Sequence, residues 1–206
     1  MGLYAKHVVP RLIDFAMRSN KDVARLRAAW IPQACGEVLE IGIGSGLNFP
    51  HYSAEVQKVY GVDPSVELQR MARERIAAAR FPVEILAQSA EQPLPLPDAS
   101  IDTVVVTWTL CSIPDVAPAL QQMRRVLKPG GRLIFLEHGR AAEPRVAAWQ
   151  DRLTPIWRRF TGGCHLNRKM DELIAAAGFR ITELKNFYLP GPRSTSFMYQ
   201  GLAEPV

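Results

Sequence analysis

Cysteine is scarce: Cys35, Cys111 and Cys164 are the only three in 206 residues, and they lie far apart. An odd, sparse set argues against a disulfide framework and for free thiols in a reducing compartment, which places the chain in the cytoplasm. No CxxC or HExxH pattern occurs, so local spacing defines no metal site. Long apolar runs are also missing, and none approaches the ~18–20 residues of a membrane span. The N-terminal MGLYAKHVVPRL has neither the apolar core nor the cleavage site of a signal peptide. Lys6 stands where a myristoylation signal following Gly2 needs Ser or Thr. Blocks of one charge are absent. Lys plus Arg (25) exceeds Asp plus Glu (20) by five, but no five basic residues are consecutive. The densest basic region, Arg158, Arg159, Arg168 and Lys169, reads as a solvated helix face, so no nucleic-acid partner is expected. A peripheral contact with an anionic membrane surface stays open.

What is present is an ordinary globular composition, 48% hydrophobic and 22% charged, in a chain long enough to bury a core. Residues 11–29 place apolar side chains at roughly helical spacing, which predicts one or two helices ahead of the core. Strand and helix patterns then alternate. VLEI (38–41), KVYGVD (58–63), PVEILA (82–87), the β-branched IDTVVVTW (101–108) and RLIFLEH (132–138) read as strands. Helices are expected over Ser65–Arg80, which contains neither Gly nor Pro, and over Val116–Leu127, stopped by Lys128-Pro-Gly-Gly. Two more are expected over Val146–Phe160 and Asn167–Ala177. FRITELKNF (179–187) and TSFMYQGLA (195–203) close the chain as an antiparallel pair. The alternation predicts an α/β fold with a doubly wound parallel sheet. Residues 1–30 form a helical extension in this reading, and 31–206 the α/β domain.

The segment VLEIGIGSG sets Gly42, Gly44 and Gly46 directly after a strand and ahead of an expected helix. Glycines there let the chain turn sharply and a ligand lie on bare backbone. The spacing is G-x-G-x-G, not the G-x-G-x-x-G of dinucleotide binders. Glu40, two residues earlier, would repel a pyrophosphate but suits a ligand carrying an ammonium and a sulfonium. S-adenosylmethionine has both and no phosphate. The second strand ends in Gly61-Val62-Asp63-Pro64-Ser65, and a carboxylate at that tip can accept from both ribose hydroxyls. Asp63 could instead cap the following helix, a task Ser65 can also perform. After the third strand, Ser89 and Ala90 are placed to offer an acceptor and a backbone N–H to an adenine, or to form an ordinary polar loop.

Together VLEIGIGSG, GVDPS, SAEQPLPLPDASIDTVV and RVLKPGG resemble the successive motifs of the class I S-adenosylmethionine-dependent methyltransferases, from about Val38 to Phe135. The resemblance implies a Rossmann-like, seven-stranded, mostly parallel sheet with helices on both faces and one reversed strand. It implies S-adenosylmethionine as cofactor, and cofactor roles for Glu40, Gly42, Gly44, Gly46, Asp63, Pro64, Ser89 and Ala90. Thr107 matches the position that faces the methionine part. TWTLCSIPD, FLEHGR, Trp149-Gln150 and GGCHLNR further resemble the subgroup that contains membrane-associated alkyl thiol S-methyltransferases. This sequence departs from that subgroup in lacking its hydrophobic N-terminal anchor and in carrying His165 where the subgroup has Asn. Quinone-pathway and phospholipid N-methyltransferases are similar over the cofactor half. The acceptor implied is a small, largely apolar molecule, with a thiol the leading expectation.

Methyl transfer from a sulfonium is an in-line displacement whose leaving group is already activated, so alignment and exclusion of water matter most. A thiol acceptor mainly needs deprotonation. Glu137 and His138 end the fifth strand, where acceptor chemistry is expected; His138 would bind or deprotonate substrate, or tether the next loop, and Glu137 could orient it. Cys111 reads as a packed thiol. Cys164-His165, after a Gly-Gly turn, could line the acceptor pocket or anchor the turn. Tyr4 and His7 are expected to fold over the cofactor as part of a lid. Trp149, Trp157 and Phe160 sit at helical spacing and read as core packing ahead of a substrate wall. An NAD(P) oxidoreductase is disfavoured by the glycine spacing and by the lack of a Tyr-x-x-x-Lys pair. A non-catalytic cofactor-binding module is the rival from another class.

Overall fold

The computed structural model describes residues 8–206; Tyr4 and His7 lie outside the described residues. Two helices come first, α1 (Val9–Ser19) and α2 (Lys21–Trp30). Asn20 separates them, its side chain accepting from the backbone N–H groups of Asp22 and Val23 as a helix cap. The sheet follows as β1 (Gly36–Ile41), β2 (Val56–Val62), β3 (Val83–Leu86), β4 (Ile101–Thr107), β5 (Leu127–His138), β6 (Phe179–Tyr188) and β7 (Phe197–Pro205). Between them run α3 (Val66–Ala77), α4 (Val116–Val126), α5 (Pro144–Phe160) and α6 (Met170–Ala176).

The strand order is β3-β2-β1-β4-β5-β7-β6. The pairs among β1 to β5 are parallel, while β7 is antiparallel to both β5 and β6 and is the reversed strand. The β-branched run of β4 is buried on both sides at nearly every position, as a central parallel strand requires. Strand order reverses direction between β1 and β4, so the crevice beyond their carboxyl ends is the natural ligand position.

Four local expectations are corrected. No α-helix follows the glycine turn; a single 3-10 turn at Phe49–His51 stands there. Pro50 occupies its first turn, and Asn48 directs its side chain into the interior. Lys128-Pro-Gly-Gly does not separate helix from strand. It bulges within β5, because Leu127 already pairs with Ile101 before Arg132 pairs with Thr103. The last helix starts at Met170 rather than Asn167, since Asn167 binds Asp151 and Arg168 binds carbonyls of another loop. Trp149 and Phe160 are exposed rather than core residues, and Trp157 is half-buried.

Candidate functional site

The glycine turn is tied to the neighbouring strand. The N–H groups of Gly42 and Ile43 both donate to the carbonyl of Val62, at 2.8 and 3.2 Å. Gly44 N–H donates to Asp63 Oδ2 at 2.9 Å. Gly42 and Gly44 both adopt left-handed backbone, with φ of 72° and 55°. A Cβ on Gly42 would fall 2.1 Å from Thr109 Oγ1, whereas a Cβ on Gly44 would meet nothing closer than 3.8 Å. Gly42 is therefore a packing glycine, and Gly44 presents bare backbone to open space. Gly46 is also left-handed and packs against the Phe49 ring.

Asp63 is buried at the end of β2 and accepts a second backbone bond from Ser65 N–H at 2.7 Å. Burial pushes its carboxyl above the usual range, against the pull of the Ser65 and Gly44 bonds. Ser65 caps α3 by accepting from Leu68 N–H, so Asp63 is not the cap. Pro64 is exposed beside it. Ala90 is buried, and Ser89 Oγ bonds the side chain of Glu91 at 2.8 Å.

Glu40 is buried in the middle of a polar network that the sequence did not announce. Asn48 Nδ2 and the Tyr52 hydroxyl each donate to one of its carboxylate oxygens at 2.8 Å. Asn48 also donates to Thr107 Oγ1 at 3.1 Å. Arg27 Nη1 donates to Asn48 Oδ1 at 2.5 Å and to Thr107 Oγ1 at 3.2 Å. Protein groups therefore engage the side chains of both Glu40 and Thr107. Burial raises the Glu40 carboxyl to about 7, opposed by Tyr52, Asn48 and the Arg27 charge. Burial lowers Arg27 to about 10, opposed by the charge of Glu40.

Arg27 is the residue sequence reading missed. Its guanidinium lies over the Trp108 ring, 4.8 Å from the centroid, and its Nε is buried with no partner. Trp108 itself is held at φ 51°, a strained conformation for a bulky residue, directly after β4. An orphaned cationic donor, an open Gly44 backbone and a buried Asp63 carboxylate form a set suited to a carboxylate, a backbone-hugging chain and a ribose. These residues fit the cofactor implied by the fold. The N-terminal helix covers the same turn: Ser45 Oγ donates to Asp14 Oδ1 at 2.5 Å, and Arg11 Nε donates to Glu67 on α3 at 3.0 Å.

On the other side of β4, Glu137 does not orient His138. Its carboxylate accepts from the backbone N–H groups of Thr109, Leu110 and Cys111 at 2.8, 3.0 and 3.3 Å. Burial raises it to about 7 despite those three bonds. His138 is buried, with Nε2 2.6 Å from the carbonyl of Thr195 and Nδ1 3.5 Å from Cys164 Sγ. The carbonyl can only accept, so Nε2 carries a proton. Burial alone would lower this imidazole, yet the Cys164 bond and charge, the Thr195 carbonyl and Glu137 hold it above its ordinary value. His165 is drawn elsewhere, with Nδ1 3.1 Å from the carbonyl of Cys111. The sequence pair Cys164-His165 thus separates: Cys164 joins His138, and His165 fastens a loop. Among the described residues, no three His, Cys, Asp or Glu side chains are grouped to hold a metal ion.

A seven-stranded sheet with one reversed strand, a glycine turn after β1 and a carboxylate ending β2 define an α/β protein that binds an adenosine-type cofactor. Residues 39–135 match a family profile described as a methyltransferase domain. Thiol S-methyltransferase TMT1B of Rattus norvegicus is 36% identical over 153 residues, covering 72% of this chain and 62% of that protein. Phosphatidylethanolamine N-methyltransferase of Cereibacter sphaeroides is 34% identical over 129 residues, covering 62% of this chain and 63% of that protein. The chain spans less than two thirds of either relative's length. A SAM-dependent methyltransferase structure from Methanosarcina mazei shares the fold, with a TM-score of 0.64, 23% identity and coverage of 84% and 94% of the two chains. The chain belongs to the S-adenosylmethionine-dependent methyltransferases, whose methyl donor is S-adenosylmethionine. No helix among the described residues is long and apolar enough to cross a membrane.

Proposed function

We propose that the protein transfers a methyl group from S-adenosylmethionine to the sulfur of a small, largely apolar thiol. The observation that carries this reading is the His138 ring at the end of β5. Its Nε2–H is fixed on the Thr195 carbonyl, which leaves Nδ1 to exchange a proton with a thiol, here the Cys164 Sγ at 3.5 Å. A nitrogen so placed can take a thiol proton, and the thiolate is the nucleophile that methylation needs. The 36% identity to a thiol S-methyltransferase supports the same acceptor class.

In this reading the cofactor supplies an activated methyl group on a sulfonium. The open backbone at Gly44 and the Asp63 carboxylate hold its sugar side, with Ser89 and Ala90 at the adenine. Arg27 Nε takes the carboxylate of its amino-acid end, with Thr107 fixing Arg27 directly and Glu40 fixing it through Asn48. Residues 8–30 act as a cover over the domain that follows. Glu137 shapes the acceptor side by holding the 109–111 backbone, and His165 fastens the loop beyond it. Methylation of carbon, oxygen or nitrogen on a quinol precursor, phenol or phospholipid is the second reading, supported by the N-methyltransferase relative.

Incubation with cofactor labelled in the methyl group and a panel of alkyl thiols, quinol precursors, phenols and phospholipids tests the proposal. We expect labelled thioether from thiols. Product on oxygen, carbon or nitrogen alone would reject the thiol reading; tight cofactor binding with no product on any acceptor would favour a binding module.

A further inference from the structure

A second chemical feature lies between the loop after β4 and the loop after α5. His165 N–H donates to the Cys111 carbonyl at 2.7 Å, so the two loops run side by side there. Arg168 Nη1 reinforces the seam by donating to the carbonyls of Leu110 and Ile113 at 2.5 and 2.7 Å. Gly163 allows the close approach, since a Cβ on it would lie 3.1 Å from the Ser112 carbonyl oxygen. The seam sets Cys111 beside Cys164, because the carbonyl of Cys111 accepts from the residue directly after Cys164. Cys111 is buried at 2% exposure, whereas Cys164 is half-buried. Cys164 also faces His138 Nδ1 at 3.5 Å. The indole Nε1 of Trp157 is buried and makes no hydrogen bond among the described residues.

We propose that Cys164 and Cys111 are a thiol–disulfide exchange site for small disulfides, with Cys164 as the attacking sulfur and Cys111 as the resolving one. The chemistry is independent of which atom accepts the methyl group. In the first step the Cys164 sulfur attacks one sulfur of R–S–S–R. A Cys164–S–S–R bond forms, the S–S bond of the small disulfide breaks, and one R–S⁻ leaves and is protonated. In the second step the Cys111 sulfur attacks Cys164 and displaces the second R–S⁻, which leaves with the proton given up by Cys111. Two electrons pass from the protein dithiol to the small disulfide, giving two R–SH and one Cys111–Cys164 disulfide. Excess small thiol runs the sequence backwards.

The environment divides the two roles. Cys164 is lowered to about 5, first by the bond from Cys111, then against burial by the bond and charge of His138 and by Trp157. Arg168 and His165 also interact with its charge, Glu137 opposes it, and Arg158 acts on His165 and Arg168 behind them. A thiolate at neutral pH is the form that attacks a disulfide. The bond to Cys164, burial and the Cys164 charge together push the Cys111 thiol well up. Once Cys164 is in a mixed disulfide its charge is gone, two of those three holds disappear, and Cys111 becomes the available nucleophile. Cys35 is the internal control: among the described residues its thiol has only the Thr103 hydroxyl, 3.9 Å away, as a bonding neighbour.

The test treats the reduced full chain with 5,5′-dithiobis(2-nitrobenzoate), which releases a coloured thiolate. We expect a fast phase releasing two thiolates per chain, with peptide mapping locating a Cys111–Cys164 disulfide. Cys111→Ser should release one thiolate in that phase and retain a mixed disulfide on Cys164. Cys164→Ser should lose the fast phase, and His138→Asn should slow it roughly tenfold at pH 6. Cys35→Ser should change none of this. Equal rates at Cys35 and Cys164 in the unmodified protein, or a Cys164 mixed disulfide that never closes onto Cys111, would overturn the proposal even if every variant misfolded.

Discussion

The carboxylate of Asp14 on α1 accepts a 2.5 Å hydrogen bond from the Ser45 hydroxyl, so an N-terminal helix is fastened to the middle of the glycine turn. Asp14 is itself buried, although its neighbours Leu12 and Phe15 are exposed. The helix therefore turns a carboxylate inward and apolar side chains outward. That arrangement makes sense for a cover held by polar contacts to a site, and less for a helix stabilised by a core.

From that contact follows the first prediction. Asp14→Ala should weaken S-adenosylhomocysteine binding roughly tenfold, about 1.4 kcal/mol, while the folded domain persists. Ser45→Ala should do the same, and the double variant should be no worse than either single one, because one bond is removed in each case. Isothermal titration calorimetry with circular dichroism reads both quantities. Unchanged affinity in both single variants would remove α1 from the site.

Much of this site was legible because it rests on backbone geometry. Gly42, Gly44 and Asp63 are set by the turn from β1 and by the neighbouring strand tip, and both leave short, recognisable patterns. The alternation of strands and helices likewise gave the sheet, including the antiparallel closing pair. Arg27 left no such pattern. It comes from α2, 80 residues before Thr107, and its burial depends on tertiary packing against Trp108. An arginine among three others in a helical stretch gives no sign that it is the buried one. Glu137 and His138 were read as partners because they are adjacent, but successive strand residues point to opposite faces. Each therefore found partners on a different loop. Cys164 and His165 also part, although they lie in a loop and no strand alternation sets them. The one signal that could have flagged Arg27 was its spacing from Val23 and Trp30, which shares the buried face of α2.

The pH dependence of stability should expose Glu40. Its folded carboxyl titrates near 7, above the usual 4.5, so the folded state binds more protons between those values. Stability must fall as pH rises through that window, and the full loss is present above it. Glu40→Gln keeps an acceptor for Asn48 and a group for the Tyr52 hydroxyl but removes the titration. Relative to the Gln variant, the unmodified protein should lose up to about 3 kcal/mol between pH 4.5 and pH 8. Urea unfolding of the ligand-free proteins across that range measures it. A parallel pair of stability curves would mean that Glu40 ionises as an exposed carboxylate does.

Gly42 and Gly44 should separate folding from ligand binding. Both lie at positive φ, so an alanine at either position carries about 1–2 kcal/mol of backbone strain. At Gly42 the added methyl also meets Thr109 Oγ1 at 2.1 Å, and the loop carrying Thr109 is pinned by Glu137 and cannot easily retreat. Gly42→Ala should therefore destabilise the ligand-free protein by several kcal/mol, on the order of other overpacked core substitutions plus the strain. At Gly44 nothing lies within 3.4 Å, so only the backbone strain remains and the ligand-free protein should stay folded. The methyl there projects into the space assigned to the cofactor, and Gly44→Ala should lower S-adenosylhomocysteine affinity at least a hundredfold, about 2.7 kcal/mol. Thermal unfolding and calorimetry on the two variants distinguish these outcomes. Full cofactor affinity in a folded Gly44→Ala protein would place the ligand away from the turn, with Asp63 then left as a carboxylate that serves only the backbone of Gly44 and Ser65.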